Sequence, residues 1–243
     1  MLNKSHLIFP DWPAPLNVKA IQTTRLGGVS VAPYDSFNLG AHVQDDALSV
    51  ARNRQLLSQY LPSEPVWLNQ VHGVEVVDAA QCACITNADA SFTHQKNVVC
   101  VTMTADCLPV LLCDTQGAVV ASIHAGWRSL CDGVIEVTIQ NMQINPENLM
   151  AWLGPAIGPQ AFEVGSEVRA AFIAKDAQSE IAFTPQGDKW LGDLYLIAKQ
   201  RLANSGINAV YGGGECTYSQ AERYFSFRRD GVTGRMASLI WLD

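Results

Sequence analysis

Three side chains able to ligate a metal or act as nucleophile and base stand at the ends of apolar, strand-like runs. His72 closes Trp67-Leu68-Asn69-Gln70-Val71-His72-Gly73, Cys107 lies in Thr104-Ala105-Asp106-Cys107-Leu108-Pro109, and His124 opens His124-Ala125-Gly126-Trp127-Arg128. Imidazole and thiolate are zinc and copper donors, and a thiol with a histidine as its base is also the pair that cysteine hydrolases use. No spacing rule such as CxxC joins the three, so spacing by itself is a weak sign of a metal, and a lone histidine beside glycine reads first as a turn residue. Context separates them from their neighbours. Cys107 follows an acidic residue with Pro109 close behind, which interrupts the strand at the thiol. Cys100, Cys113 and Cys131 sit instead among Val, Leu and Ile, where burial accounts for them. His124 ends an apolar run and leads into a turn of small residues, and strand ends are where a sheet presents side chains to a ligand. Cys82-Ala83-Cys84 has small polar neighbours and no third ligand nearby, so it is read as neither a redox nor a metal pair.

Short strands must carry these residues. Runs at 66–68, 74–77, 98–104, 108–113 and 118–124 have strand composition, with turn signals at His72-Gly73 and Gln116-Gly117. Near-continuous apolar runs predict strands covered on both faces. A helix is expected from the acidic cap at Asp45-Asp46 to Tyr60, and others over 130–142 and 166–175. Leu191, Leu194, Tyr195, Ala198 and Leu202 share one helical face, predicting a helix over 190–204 with Gly206 as its stop. Strands are expected at 149–153, 209–211, 224–227 and 236–242. Helices and strands without strict alternation predict an α/β (α+β) fold with mixed β-sheets covered by helices in layers. No repeat, linker or shift of composition divides the chain, so a single domain over 1–243 is expected.

Sixteen Lys and Arg against 23 Asp and Glu give a formal charge of -7, which repels a phosphate backbone and argues against nucleic acid as a partner. The apolar stretches are too short for a membrane span, and Leu7-Ile8-Phe9 is too brief for a secretory segment, so a cytoplasmic protein is expected. Seven cysteines, an odd number in a chain large enough to need no stapling, fit reduced thiols there. Nothing in the sequence identifies a protein partner.

Taken together, Thr24-Arg25-Leu26-Gly27-Gly28-Val29-Ser30, Asn38-Leu39-Gly40, the three segments above, Gly154-Pro155-Ala156-Ile157-Gly158-Pro159, Phe225-Ser226-Phe227-Arg228-Arg229-Asp230 and Thr233-Gly234-Arg235-Met236-Ala237 resemble the laccase-domain family, also called polyphenol-oxidase-like or YfiH-like. The resemblance spans nearly the whole chain. It implies a mixed-sheet fold, one zinc held by His72, Cys107 and His124, and purine nucleoside phosphorylase activity, with adenosine deamination and methylthioadenosine phosphorolysis also associated with the family. Purine nucleosides and phosphate would then be the partners. On that footing Arg25 beside Gly27-Gly28, Arg128 and Arg228 are candidate phosphate contacts, Asn38 a candidate for ribose, and Asp106 a candidate general acid for the departing base.

The family's older reading as copper oxidases meets a shortage of ligands, because the chain has only five histidines. Copper(II) would still outcompete zinc at an imidazole and thiolate site. A cysteine hydrolase editing peptidoglycan precursors, with Cys107 as nucleophile, is the alternative. A non-catalytic zinc module is disfavoured because three protein ligands leave the fourth position open.

Overall fold

The computed structural model describes residues 2–243; Met1 lies outside the described residues. In chain order the elements begin with β1 (Leu7–Ile8), β2 (Val18–Thr23), α1 (Ala47–Ser58), β3 (Val76–Asp78), β4 (Ala90–Thr93), β5 (Cys100–Thr104), β6 (Leu108–Asp114) and β7 (Val120–Ala125). There follow α2 (Trp127–Asp132), α3 (Val134–Met142), β8 (Leu149–Leu153), β9 (Glu163–Val164), α4 (Ser166–Lys175), β10 (Phe183–Gln186), β11 (Lys189–Gly192), α5 (Leu194–Asn204), β12 (Ala209–Gly212), α6 (Phe227–Asp230) and β13 (Met236–Leu242). They build a six-stranded sheet ordered β12-β8-β6-β7-β4-β3, a four-stranded sheet ordered β1-β2-β13-β5 and a small β10-β11-β9 sheet. Among the described strand pairs, β12 with β8 and β3 with β4 are parallel and the rest antiparallel.

Period-two alternation explains the layering. Val110 and Leu112 of β6 face a core shared with Ile135 and Ile139 of α3 and Ile197 and Ala198 of α5. Leu111 and Cys113 face the other way, against Ile240 and Leu242 of β13. On the far side of the four-stranded sheet, Leu56 and Leu57 of α1 pack with Ile21, Val101 and Leu239. The order of layers is therefore helix, sheet, sheet, helices, and the expected mixed α/β architecture is the one observed. Strands such as β6 are buried at every residue, as the near-continuous apolar runs require. Between the two sheets the Ser122 hydroxyl meets that of Thr102 at 2.9 Å and donates to the Ser238 carbonyl at 3.2 Å, so this interior is not wholly apolar.

Several boundaries differ from expectation. Trp190 and Leu191 belong to β11, and the helix starts at Leu194, where the Asp193 side chain accepts the Leu196 amide. Gly133, at φ 101°, breaks the 130–142 helix into α2 and α3. No strand forms over 224–227: Tyr224 and Phe225 are buried anchors, and the Ser226 hydroxyl caps α6. Among 66–68, only Val66 makes an isolated bridge, to Cys100. The strand β4 was not expected, because Ala90, Ser91 and Thr93 carry little apolar signal. Among the described residues, no helix is long and apolar enough to cross a membrane.

Candidate metal centre

Antiparallel pairing sets Leu108 opposite Ala125 and Pro109 opposite His124. The beginning of β6 and the end of β7 thus lie side by side, which brings Cys107, one residue before β6, against His124. His72 arrives on a separate turn. Gln70 ties that turn to β5, donating to the Met103 carbonyl at 2.8 Å and accepting the Met103 amide at 2.7 Å. The carboxylate of Asp89, just before β4, accepts the amides of Val71, His72 and Gly73 at 3.1, 2.9 and 2.7 Å. His72 has φ 61°, a left-handed conformation that costs a non-glycine residue energy, and these bonds hold it there. The same carboxylate accepts Nδ1 of His124 at 2.7 Å. One buried acid therefore orients two of the three candidate ligands and leaves Nε2 of His124 as the free nitrogen.

The ligating atoms of His72, Cys107 and His124 lie within 4.8 Å of one another. Cys107 Sγ is 3.7 Å from Nε2 of His72, and the imidazole rings meet edge to face with centroids 4.8 Å apart. Gly126 makes the room: a Cβ there would stand 2.7 Å from His72 Cδ2 and 3.2 Å from Cys107 Sγ. Two nitrogens and a sulfur gathered this closely, with a carboxylate behind one imidazole, fit one metal ion with a fourth position left open. This is the single group of three or more such side chains among the described residues.

Electrostatics agree. Burial alone would raise the Cys107 thiol, but His124 and His72 pull it down to about 6. Burial alone would lower His124, yet the Cys107 thiolate and the Asp89 carboxylate push it up to about 9. Asp89 is itself raised by burial and lowered further by His124 and the Gly73 and Val71 amides, ending below the usual carboxylate range. In the absence of a cation these charges answer one another, so the site favours the thiolate that a metal requires.

The remaining residues singled out from sequence divide sharply. Asn38 is fully buried: its Oδ1 accepts the amides of Gly40 and Arg235 and its Nδ2 donates to Asp45, so the groups expected to meet ribose are engaged within the fold. Arg25 is likewise occupied by structural partners. Its guanidinium binds the carbonyls of Asp35 and Ala221, pairs with the Asp35 carboxylate and stacks on Phe225, in a depression none of the three ligands lines. Arg128 is exposed, stacks on Trp127 at 4.4 Å, and lines neither cavity that touches Cys107. Asp106 accepts the Thr217 hydroxyl and the Arg228 amide, both at 2.6 Å. With both oxygens engaged and φ at 99°, it braces the loop that presents Cys107 and is not poised as the proton donor expected of it.

Two cavities meet at the thiol. One, of about 320 Å³, is lined by His42, Gln70, Thr104, Arg235 and Phe227 together with the three ligands. The other, of about 160 Å³, is bounded by Cys107, Trp127, Phe162 and Phe227 with Arg228 at its edge. Sequence reasoning missed Asp89, whose one signal was a lone acid inside Ala88-Asp89-Ala90. It also passed over His42, and took Arg235 only as part of a motif.

A mixed α/β layered fold carrying a His/Cys/His group where β6 begins and β7 ends is the class of protein these observations define. Residues 19–243 match the family described as multi-copper polyphenol oxidoreductase laccase, and the chain belongs to that family. It is 55% identical over 241 residues to the purine nucleoside phosphorylase YfiH of Escherichia coli K12, covering 98% of this chain and 99% of that one. It is 52% identical over 236 residues to a purine nucleoside phosphorylase of Pseudomonas aeruginosa, covering 96% of this chain and 97% of the other. A crystal structure of a Neisseria meningitidis protein superimposes with a TM-score of 0.95 at 49% identity, covering 98% and 99% of the two chains.

Proposed function

We propose that this chain is a zinc-dependent purine nucleoside phosphorylase, cleaving adenosine- and inosine-type nucleosides with phosphate into free base and ribose 1-phosphate. The observation that carries this reading is the junction at Cys107: a three-ligand nitrogen and sulfur site where the larger cavity meets an aromatic one. The aromatic walls suit a planar base, and the His42, Gln70 and Arg235 side chains of the larger cavity suit ribose and an anion. The naming of highly similar relatives as purine nucleoside phosphorylases supports the same conclusion. Zinc is favoured over a multi-copper cluster because the ligands assemble one site and zinc accepts imidazole and thiolate together.

When bound, zinc supplies a Lewis-acid centre with one open position. The chain's own residues do the rest. Asp89 holds His124 with Nδ1 protonated and so keeps Nε2 available to the metal. Trp127, Phe162 and Phe227 offer flat aromatic walls beside the thiol against which a base can lie. In phosphorolysis a phosphate oxygen attacks the anomeric carbon of ribose, the bond to the base breaks, and the base leaves with the electron pair. The same centre is proposed to serve methylthioadenosine phosphorolysis and adenosine deamination, in which water adds to C6 of the purine and ammonia leaves, the glycosidic bond staying intact. The seven unpaired thiols suit a reducing compartment, and we place the enzyme in the cytoplasm.

Purified protein incubated with inosine, with and without phosphate, tests the reading by mass spectrometry of the products. Ribose 1-phosphate formed only with phosphate is expected; free ribose formed equally without it refutes phosphorolysis. A second reading rests on the depressed thiol beside two histidines, which would also serve a cysteine nucleophile in a hydrolase acting on peptidoglycan precursors. Metal protection of Cys107, treated in the Discussion, separates the two.

A further inference from the structure

With Arg25 and Asn38 spent on structure, an anion in the metal-centre cavity has a different partner. Arg235 is the one guanidinium in that cavity's lining. It is half-buried and makes no ion pair among the described residues, whereas Arg25, Arg169, Arg201, Arg223 and Arg229 each have a carboxylate. Burial works against its charge, and the Cys107 and Asp106 charges favour it without forming an ion pair. A partly buried guanidinium with no carboxylate in contact gains from a ligand that supplies a negative charge.

The residue is also held rigidly. Its amide donates to Asn38 Oδ1 at 2.8 Å, and its carbonyl accepts the Leu39 amide at 3.2 Å. Arg54 donates twice to the Leu39 carbonyl, at 3.0 and 2.9 Å, and Asn53 donates to the Asn38 carbonyl at 2.9 Å. Gly40 lacks the Cβ that would come within 2.8 Å of Arg235 Cγ. The Asn38-Leu39-Gly40 segment is thus the cradle of Arg235. At the far end of the side chain, Nη1 donates to the carbonyls of Thr233 and Gly234 at 3.0 and 3.1 Å. The Nε and Nη2 edge has no protein acceptor among the described residues, and that edge matches two oxygens of a tetrahedral oxyanion.

We propose that Arg235 anchors the anion of this cavity, taking inorganic phosphate on its Nε/Nη2 edge. The assignment rests on the phosphorylase reading for the identity of the anion, since phosphate is that reaction's co-substrate. It makes Arg235 the residue that places the attacking phosphate beside the metal centre. Free phosphate and the 5′-phosphate of a nucleotide share this chemistry, and adenosine 5′-monophosphate distinguishes them.

Calorimetric titration of the purified protein with inorganic phosphate, with no nucleoside present, is compared for wild type, Arg235→Gln, Arg235→Lys and Arg25→Gln. Arg235→Gln is expected to weaken phosphate binding at least about tenfold, because a charge and a two-pronged bond are lost together. Arg235→Lys keeps the charge without the planar fork and should fall between, and Arg25→Gln should match wild type. In phosphorolysis Arg235→Lys should raise the KM for phosphate by about tenfold and that for inosine by less than about twofold, which misfolding would not produce. Equal phosphate affinity in wild type and Arg235→Lys, or no phosphate binding by wild type, overturns the proposal. So does loss of adenosine 5′-monophosphate binding with phosphate binding intact. Phosphate binding that depends on Arg235, in a protein that splits inosine equally well without phosphate, keeps the anion site and overturns the phosphorylase reading.

Discussion

Replacing Asp89 by Asn tests the metal centre without changing its shape. The carboxylate accepts four hydrogen bonds: Oδ1 takes His72 N and His124 Nδ1, and Oδ2 takes Val71 N and Gly73 N. An asparagine amide has one oxygen, so one of these pairs must face an NH2 group. If the NH2 turns toward His124, it can be accommodated only by an imidazole whose Nδ1 accepts, and that tautomer carries its proton on Nε2, where no lone pair remains for a metal. If the NH2 turns the other way, the Val71 and Gly73 amides are orphaned and the His72 turn loosens. Both outcomes weaken the metal. Partners of this kind are worth about 10- to 100-fold in metal affinity, or about 1.4–2.7 kcal/mol. Two lost bonds to a charged acceptor, at about 1.5–3 kcal/mol each, cost the metal-free fold about 3 kcal/mol or more. At about 2–4 °C per kcal/mol for a chain of this size, Tm falls by about 6–12 °C. Zinc affinity is read by competition with a chromogenic chelator, and Tm by calorimetry with chelator present. An Asp89→Asn protein that loses stability while binding zinc as tightly as wild type would refute the reasoning.

Alkylation of Cys107 by iodoacetamide, followed by peptide mass spectrometry, is expected to be slow with metal bound and fast after chelation. Equal labelling in both samples removes the thiol from the ligand set and favours the nucleophile reading, with Cys82 and Cys84 as controls indifferent to metal. Gly126→Ala leaves an allowed backbone, so its expected cost of about 1–3 kcal/mol and its loss of metal come from the Cβ driven against His72 and Cys107; unchanged metal content would show that the two ligands can give way. Because the folded pKa of Asp89 is depressed, its stabilisation of the metal-free protein is present above 3.8 and lost as pH falls through the lower folded value. Acid unfolding curves of wild type and Asp89→Asn should therefore converge below that window, and a constant difference down to the lowest pH would contradict the linkage.

The three candidate ligands were legible in the sequence because each interrupts a local pattern. His124 ends an apolar run, Cys107 sits between an acid and a proline, and His72 stands on a turn, and those irregularities survive into the structure as the end of β7, the start of β6 and a left-handed residue. That strands would be covered on both faces was legible for a similar reason, since such burial leaves a continuous apolar run. The strand expected at 224–227 failed because a buried aromatic pair has strand composition whether or not it pairs with a neighbour.

What the chain determined locally, then, was the identity of the chemistry-bearing residues and the elements that end at them. Which of them meet was decided only by register and packing. The pairing of β6 with β7 sets Cys107 against His124, and Asp89, 35 residues before His124, reaches it because β4 pairs with β7. The arginines show the same limit most plainly. Arg25 and Arg235 are alike as residue types, yet tertiary contacts give one a carboxylate and an aromatic face and leave the other facing the metal-centre cavity with an open edge. A charged side chain's function depends on which counter-charges lie within a few ångströms of it. Those neighbours come from chain segments as far apart as Asn38 and Arg235, a distance over which no local pattern in the sequence can act.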